Sequence, residues 1–360
     1  MESNVISNLK TGRLFDKQAF WHLAILVLIG AAIGVYLIAT TVIISKDGVF
    51  YIQRAQRFAH DPVEVVKQHP PGLPIMIYGA HKMAGVFFDG ESVYTWIYSA
   101  QAATVLCRLL AIAGLYLLGK LLVGGRDSFL AMLVLLILPY PAHMSTEVIR
   151  EWPHLMFLAW GYFVLLYAAR KGSWWLFGIA GMLAGLGHIV RPEALQILLF
   201  AGIWLMIRFL RPLAGFGRKK TVLSMLAMAA GLMVVALLYG DVRGRFLPDR
   251  LKNTITNNSN LKHPNYQNSG AEFVKDQGFC KAGFEGGKFF EGLGKLFERI
   301  SQNLMYFFML PVAIGFYLRF RKGGGAEGIE RVAVLGIAIL YFTMMVLLYS
   351  MSDYMSGRHC

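Results

Sequence analysis

Asp47 follows a long apolar run and opens a polar stretch, Ser45 to Pro74, that closes on His69-Pro70-Pro71-Gly72. Further along, Glu147, Arg150 and Glu151 fall in the turn HMSTEVIRE, Arg191 and Glu193 in RPE, and Arg358 in the C-terminal SGRH. A carboxylate can take a proton from a weak nucleophile. Arginine forks, with histidine or lysine charge, hold phosphate oxygens. Each residue also has a plain structural use. Asp47, ahead of Gly-Val-Phe-Tyr, can cap a helix. His69 precedes Pro-Pro, so its backbone is extended and fits a turn. Glu151 in a first turn suits the helix dipole. Arg150 can pair with Glu147 or Glu151, and Arg191-Pro192-Glu193 can be a helix break with its own ion pair. Arg108 differs, because it lies inside an apolar run. A charge there is a functional hypothesis by default, with snorkelling or an acid on another helix as its structural uses.

The elements that must position these residues are membrane helices. The chain is 360 residues long, 56% hydrophobic and 16% charged, with a mean hydropathy of +0.51. Soluble domains average about 45–50% apolar and about 25% charged residues. The net charge of +14 would suggest nucleic acid in a soluble protein. Here most of the basic residues cluster in short loops between apolar runs, and no interleaved basic and aromatic groove exists, so nucleic acid is not an expected partner. Cys107, Cys280 and Cys360 lack the spacing of a zinc site or a disulfide framework. The opening MESNVISNLKTGRLFDKQAFWH is too polar and too long for a signal peptide, so the first helix is expected to stay as an anchor.

A spanning helix needs about 20 mostly apolar residues. Candidate spans are Phe20–Ile44, Tyr98–Val123, Phe129–Tyr140, Pro153–Ala169, Trp174–Ile189, Ala194–Ile207, Thr221–Tyr239, Leu304–Phe320 and Val332–Ser350. The expectation is thus an all-α polytopic protein of about nine spans. Two short helices on the outer surface suit Val49 to Phe88, with Phe50, Tyr51 and Phe58 as interfacial anchors. Residues 1–240 form the transmembrane core with its first outer loop at 45–93, 241–301 an outer segment, and 302–360 the C-terminal helices. Lys10, Arg13 and Lys17 place the N-terminus in the cytoplasm. Asp47, His69, Glu147, Arg150, Glu151, Arg191, Glu193 and Arg358 then share the outer, periplasmic face of a bacterial inner membrane. One-sided chemistry suits an enzyme at one membrane surface, whereas a transporter usually places polar groups near mid-span.

An acid after the first helix, a surface helix, the HPPG turn, an acidic outer turn and LxxxRPE occur here in an order that resembles the GT-C membrane glycosyltransferases. Most similar is the dolichyl-phosphate-mannose–protein mannosyltransferase and aminoarabinose transferase group. The resemblance covers about Phe20 to Phe209 and rests on order and spacing. It implies a polyprenyl-phosphate-linked sugar as donor, and Asp47 as the acid that activates the acceptor. Many relatives carry a second acid directly after the first, where this chain has Gly48. His69 takes the position of a basic residue near the donor phosphate, Arg150, Arg191 and Arg358 are further donor-phosphate candidates, and Glu151, ahead of Glu147, matches the acid of the second outer turn. SGRH resembles the start of an SxR motif that relatives follow with more helices, which implies a short or missing C-terminal part.

In such a transfer the leaving group is already a phosphate, which calls for positive charge more than for an acid. One base with no nucleophilic partner implies single displacement and inversion, whereas glycosidases need a carboxylate pair. The expected partners are the lipid-linked sugar, an acceptor lipid, glycan or protein hydroxyl, and membrane lipids. No obligatory metal is expected with Gly48 in place of a second acid, although two outer-face acids could hold a divalent cation. The other reading is a non-enzymatic carrier or transporter of lipid-linked sugars, which would also explain Arg108.

Overall fold

The computed structural model describes residues 16–41, 44–87, 92–210 and 217–243, together with 290–291, 293–298 and the single positions 336 and 339. All regular structure among these residues is helical. The chain divides into two compact units, Met1–Pro248 and Asp249–Cys360.

Helix α1 (Lys17–Thr40) starts on Asp16. The Asp16 carboxylate accepts the Ala19 N–H at 2.6 Å and pairs with Lys120 at 3.0 Å. Burial pushes its pKa up, but the Ala19 amide and Lys120 outweigh that and hold it below the usual value. The polar stretch then folds into α2 (Lys46–Phe58), α3 (Pro62–Gln68) and α4 (Gly72–Ala84). Two surface helices were expected and three are present. Asp61 caps α3 by accepting the Glu64 N–H at 3.0 Å, and Pro70-Pro71 cannot continue it. Helix α4 has one exposed face, with Ile75 and Met83, and one buried face. Its 13 residues span only about 20 Å, and its Leu73 and Ile77 are fully buried. They share a core with Ile52, Ala55, Trp96, Ala100 and Val148. Each large aliphatic side chain buried there contributes roughly 1.5–3 kcal/mol, so α2, α4 and the start of α5 form one outer layer.

The rest of the unit is α5 (Val93–Val123), α6 (Gly125–Ile137), α7 (Pro139–His143), α8 (Glu151–Lys171), α9 (Trp174–Val190), a 3-10 turn at Pro192–Leu195, α10 (Gln196–Leu210) and α11 (Arg218–Arg243). Five helices are long and apolar enough to cross a membrane: Lys17–Thr40, Val93–Val123, Glu151–Lys171, Pro192–Leu210 and Arg218–Gly240. Trp174–Val190 is apolar but shorter. The protein is a multi-pass, all-helical membrane protein. The expected eighth and ninth spans, and most of 241–301, lie outside the described residues. Half of the apolar window of α5 and 56% of that of α8 are buried, against 17% for α1 and 22% for α11. Helices α5 and α8 are therefore the most enclosed pair, with α1, α4 and α6 against α5, α9 against α8, and α11 against α9. Gly30 and Gly34 let α1 close onto Leu109 and Val105 of α5, the small-residue packing common in membranes.

The polar groups of this unit gather at its two ends. At one end are Asp16 with Lys120, the Arg170 guanidinium on the Leu121 carbonyl, and His22 Nδ1 at 2.9 Å from the Tyr116 hydroxyl. The termini of α2, α4, α8 and α9 that carry the candidate site residues meet at the other.

Helices α9 and α11 approach closely enough that a Cβ on Gly231 would overlap the Gly178 carbonyl oxygen. Backbone cannot rotate away as a side chain can. Gly231→Ala is therefore expected to destabilise by about 1–3 kcal/mol, read as a lower Tm of the protein in detergent. Gly202 of α10 has nothing within 4 Å of a built Cβ, so Gly202→Ala should be neutral or stabilising. Equal melting of the two variants would contradict the packing. In the second unit, Glu291 and Lys295 pair at 2.9 Å on a short helical stretch, and Leu296 is buried.

Candidate functional site

The site is built first on Ser45, not on Asp47. The Ser45 hydroxyl caps α2 by accepting the Gly48 N–H at 3.1 Å, and it donates to the Glu147 carbonyl at 2.9 Å. The helix-cap use expected of Asp47 thus belongs to Ser45, and Asp47 stands in the first turn of α2. Gly48 lies against the second outer turn. A Cβ there would stand 2.5 Å from the Glu147 carbonyl oxygen and 3.1 Å from Val148 Cβ. Where many relatives carry a second acid, this fold has no room for one.

The outer turn divides its two acids. Glu147 binds His143 Nδ1 at 3.1 Å and faces an open cavity of about 610 Å³ between the end of α1 and this turn, lined also by Leu37, Ile44 and Ser45. Glu151 turns the other way, to Arg191 at 3.7 Å. Arg191 also holds Glu193 at 3.3 Å, so the ion pair expected for RPE is present, on a 3-10 turn. Arg150 was expected to pair with Glu147 or Glu151. Among the described residues it makes neither ion pair and instead lies 5.6 Å over the Tyr51 ring.

Tyr51 is where these groups meet. Burial pushes its hydroxyl pKa up, and the charges of Arg150, Asp47, Glu151 and Arg191 all act on it. The two arginines partly offset the raising effect of burial and of the two acids, and the net shift is upward. The hydroxyl therefore keeps its proton at neutral pH, within electrostatic reach of two carboxylates and two guanidinium groups. Tyr51 was expected to be an interfacial anchor. Its spacing of four residues from Asp47 puts both on one face of α2, and that was the available signal. The same spacing links Arg150 to His154, which lies within electrostatic reach of Arg191, Glu193 and Arg150. His154 is buried, and its Nδ1 has no partner among the described residues. The sequence reading missed it.

His69 ends α3 and stands edge-on to Phe50, with ring centroids 5.7 Å apart. The turn after it packs on the segment carrying Arg191, since a Cβ on Gly72 would stand 2.9 Å from the Val190 backbone nitrogen. Arg358 lies outside the described residues. Among the described residues Arg108 meets no acid: its Nη2 donates to the Leu136 carbonyl at 2.9 Å, and its guanidinium is 5.5 Å from the Trp152 ring centroid. Leu136 is in the last turn of α6, where carbonyls lack partners within the helix and attract cations. Among the described residues, no group of three or more His, Cys, Asp or Glu could hold a metal ion.

Tyr51→Phe keeps the ring under Arg150 and removes only the hydroxyl. A hydrogen bond from this hydroxyl to bound substrate, worth about 0.5–1.5 kcal/mol net, corresponds to a fall in activity of roughly 2- to 10-fold. Tyr51→Ala, which also removes the platform of Arg150, should lose more. Unchanged activity of both variants, in an assay of the purified protein, would remove Tyr51 from the site.

A model of the dolichyl-phosphate-mannose-protein mannosyltransferase family matches residues 68–239. No curated protein and no solved structure matches the chain. The matched stretch takes in the Pro70-Pro71 turn, the outer turn with Glu147, Arg150 and Glu151, and Arg191-Pro192-Glu193, while Asp47 precedes it. Over residues 68–239, where the PP turn, the acidic turn and the RPE break stand in the order the resemblance implied, the chain is similar to the dolichyl-phosphate-mannose-protein mannosyltransferase family of membrane glycosyltransferases.

Proposed function

We propose that this membrane glycosyltransferase moves a sugar from a polyprenyl-phosphate donor to an acceptor hydroxyl at the outer membrane surface, by single displacement with inversion. Asp47 takes the acceptor proton as the hydroxyl attacks the anomeric carbon. The bond to the donor phosphate breaks, and the phosphate leaves on its lipid, held by Arg150 and Arg191 with His69 at the edge. Glu151 and Glu193 orient Arg191. Arg358 is a further donor-phosphate candidate from the sequence.

One observation carries this reading. Asp47, Arg150, Glu151 and Arg191 come from three separate stretches of chain, and all lie within electrostatic reach of Tyr51, with Arg150 over its ring and Arg191 on Glu151. A base and two guanidinium groups at one end of a helical bundle match the needs of the reaction, in which a weak nucleophile loses a proton while a phosphate gathers charge. The family match over residues 68–239 supports sugar transfer. The test uses the full-length protein in lipid nanodiscs or liposomes with radiolabelled polyprenyl-phosphate sugars and a membrane extract as acceptor. Label moving into a new product, with the anomeric configuration inverted, is the expected result. Movement of labelled lipid between leaflets without any transfer would establish the carrier reading instead, and retention of configuration would exclude single displacement.

A further inference from the structure

Three buried side chains on one face of α5 take no part in that chemistry. Gln101, Thr104 and Arg108 are spaced three and four residues apart, so they line one stripe of the helix, and each is at most 1% exposed. All three donate to backbone: Arg108 to the last turn of α6, and Thr104 and Gln101 to the segment between α7 and α8. Arg108 Nη2 reaches the Leu136 carbonyl at 2.9 Å. Thr104 Oγ1 reaches the Ser145 carbonyl at 2.5 Å, and Gln101 Nε2 the Thr146 carbonyl at 3.2 Å. Ser45 takes the next carbonyl, that of Glu147, at 2.9 Å. Three successive peptide groups, 145 to 147, are therefore each held by a side chain from another element.

The next residue along the chain is strained. Val148 has φ 58°, a left-handed conformation that is an outlier for a β-branched residue. Such a residue persists only where its surroundings over-determine it. Here they do, because three carbonyls ahead of it are fixed and its side chain is fully buried among Ile52, Leu73, Ile77 and Trp96. Two residues later Arg150 starts α8, with Glu151 on Arg191.

Satisfying a buried threonine would not by itself require this arrangement. The Thr104 hydroxyl also lies 3.1 Å from the Ala100 carbonyl of its own helix, the usual outlet for a threonine in a helix. Its single proton goes instead to the nearer oxygen, on the outer turn. We propose that Gln101 and Thr104 are positioning residues for sugar transfer: with Ser45 they hold 145–148 in its strained form, so that Arg150 and Glu151 enter α8 facing Tyr51 and Arg191, while Arg108 anchors the end of α6 that leads into this segment. This rests on the glycosyltransferase reading above.

Thr104→Val keeps the side-chain shape and removes the donor. The full-length protein in nanodiscs is assayed for transfer from a radiolabelled polyprenyl-phosphate sugar, and the amides of 147–150 are followed by hydrogen–deuterium exchange. A displacement of about 1 Å in a site costs on the order of 100-fold, so Thr104→Val should lower kcat/KM by about 10- to 100-fold. Its 147–150 amides should exchange faster, and Thr104→Ser, which keeps the hydroxyl, should restore both. If Thr104→Val does not fold, Gln101→Met, one turn away, gives the same readings. Unchanged exchange overturns the clasp, and faster exchange with wild-type transfer overturns its catalytic purpose. A Thr104→Ser variant as impaired as Thr104→Val overturns the role of the hydroxyl. A transferring wild type keeps these failures separate from a failure of the glycosyltransferase reading; a wild type that transfers nothing overturns both.

Discussion

Asp47→Asn is expected to lower sugar transfer by about 100- to 10,000-fold, the usual contribution of a positioned general base, with little change in Tm. The small stability effect comes from the position of the residue in α2. The cap is Ser45, whose hydroxyl accepts the Gly48 N–H at 3.1 Å, so the amide replaces no capping group. At the helix end Asn forfeits a first-turn negative charge, worth about 0.3–1 kcal/mol against the helix dipole. That loss cannot unfold a helix whose Ile52 and Ala55 are buried in the outer layer. Asp47→Glu keeps the carboxylate but moves it outward by one methylene, and should recover part of the activity. Full transfer by Asp47→Asn, measured with the same labelled donor, would move the base elsewhere; Glu147 beside His143 would then be the first alternative.

The second large effect is expected where the chain departs from many of its relatives. Gly48→Asp would restore the acid that relatives carry after the first. It should nevertheless impair the enzyme. A Cβ at Gly48 would stand 2.5 Å from the Glu147 carbonyl oxygen, and that oxygen belongs to backbone fixed by Ser45. Overpacking of this kind costs about 1–3 kcal/mol. The movement that relieves it displaces the turn leading to Arg150 and Glu151, and a shift of about 1 Å costs on the order of 100-fold in rate. Gly48→Ala should share most of both effects, because the collision arises at Cβ. Equal or higher activity of Gly48→Asp would mean that the outer turn yields easily and that a second acid still has a use here. Wild-type melting of Gly48→Ala would contradict the close approach itself.

Sequence and structure divided the description of this site along physical lines. Helix positions were legible because membrane spans announce themselves by length and composition, and α8, expected over 153–169, lies at Glu151–Lys171. Helix ends were legible where proline or a capping side chain marks them, as at Pro70-Pro71 and Asp61. The run at 73–88 left open which of its faces meets protein, because a short apolar run has the same composition whether it faces lipid or protein. Only the outer core with Ile52, Trp96 and Val148 decides between the two.

Composition alone was enough to establish a membrane protein whose candidate acids and arginines stand at the ends of apolar runs. Local spacing along the chain was enough for the family-like order of the PP turn, the outer turn and RPE. Partners came only with the folded molecule, since contacts between helices depend on which faces pack together. Packing gave Arg108 the Leu136 carbonyl and added Glu151 to the Glu193 that the sequence already offered Arg191. It also set Arg150 over Tyr51 and closed the space beside Gly48 against Glu147, which leaves Asp47 without a neighbouring acid at position 48.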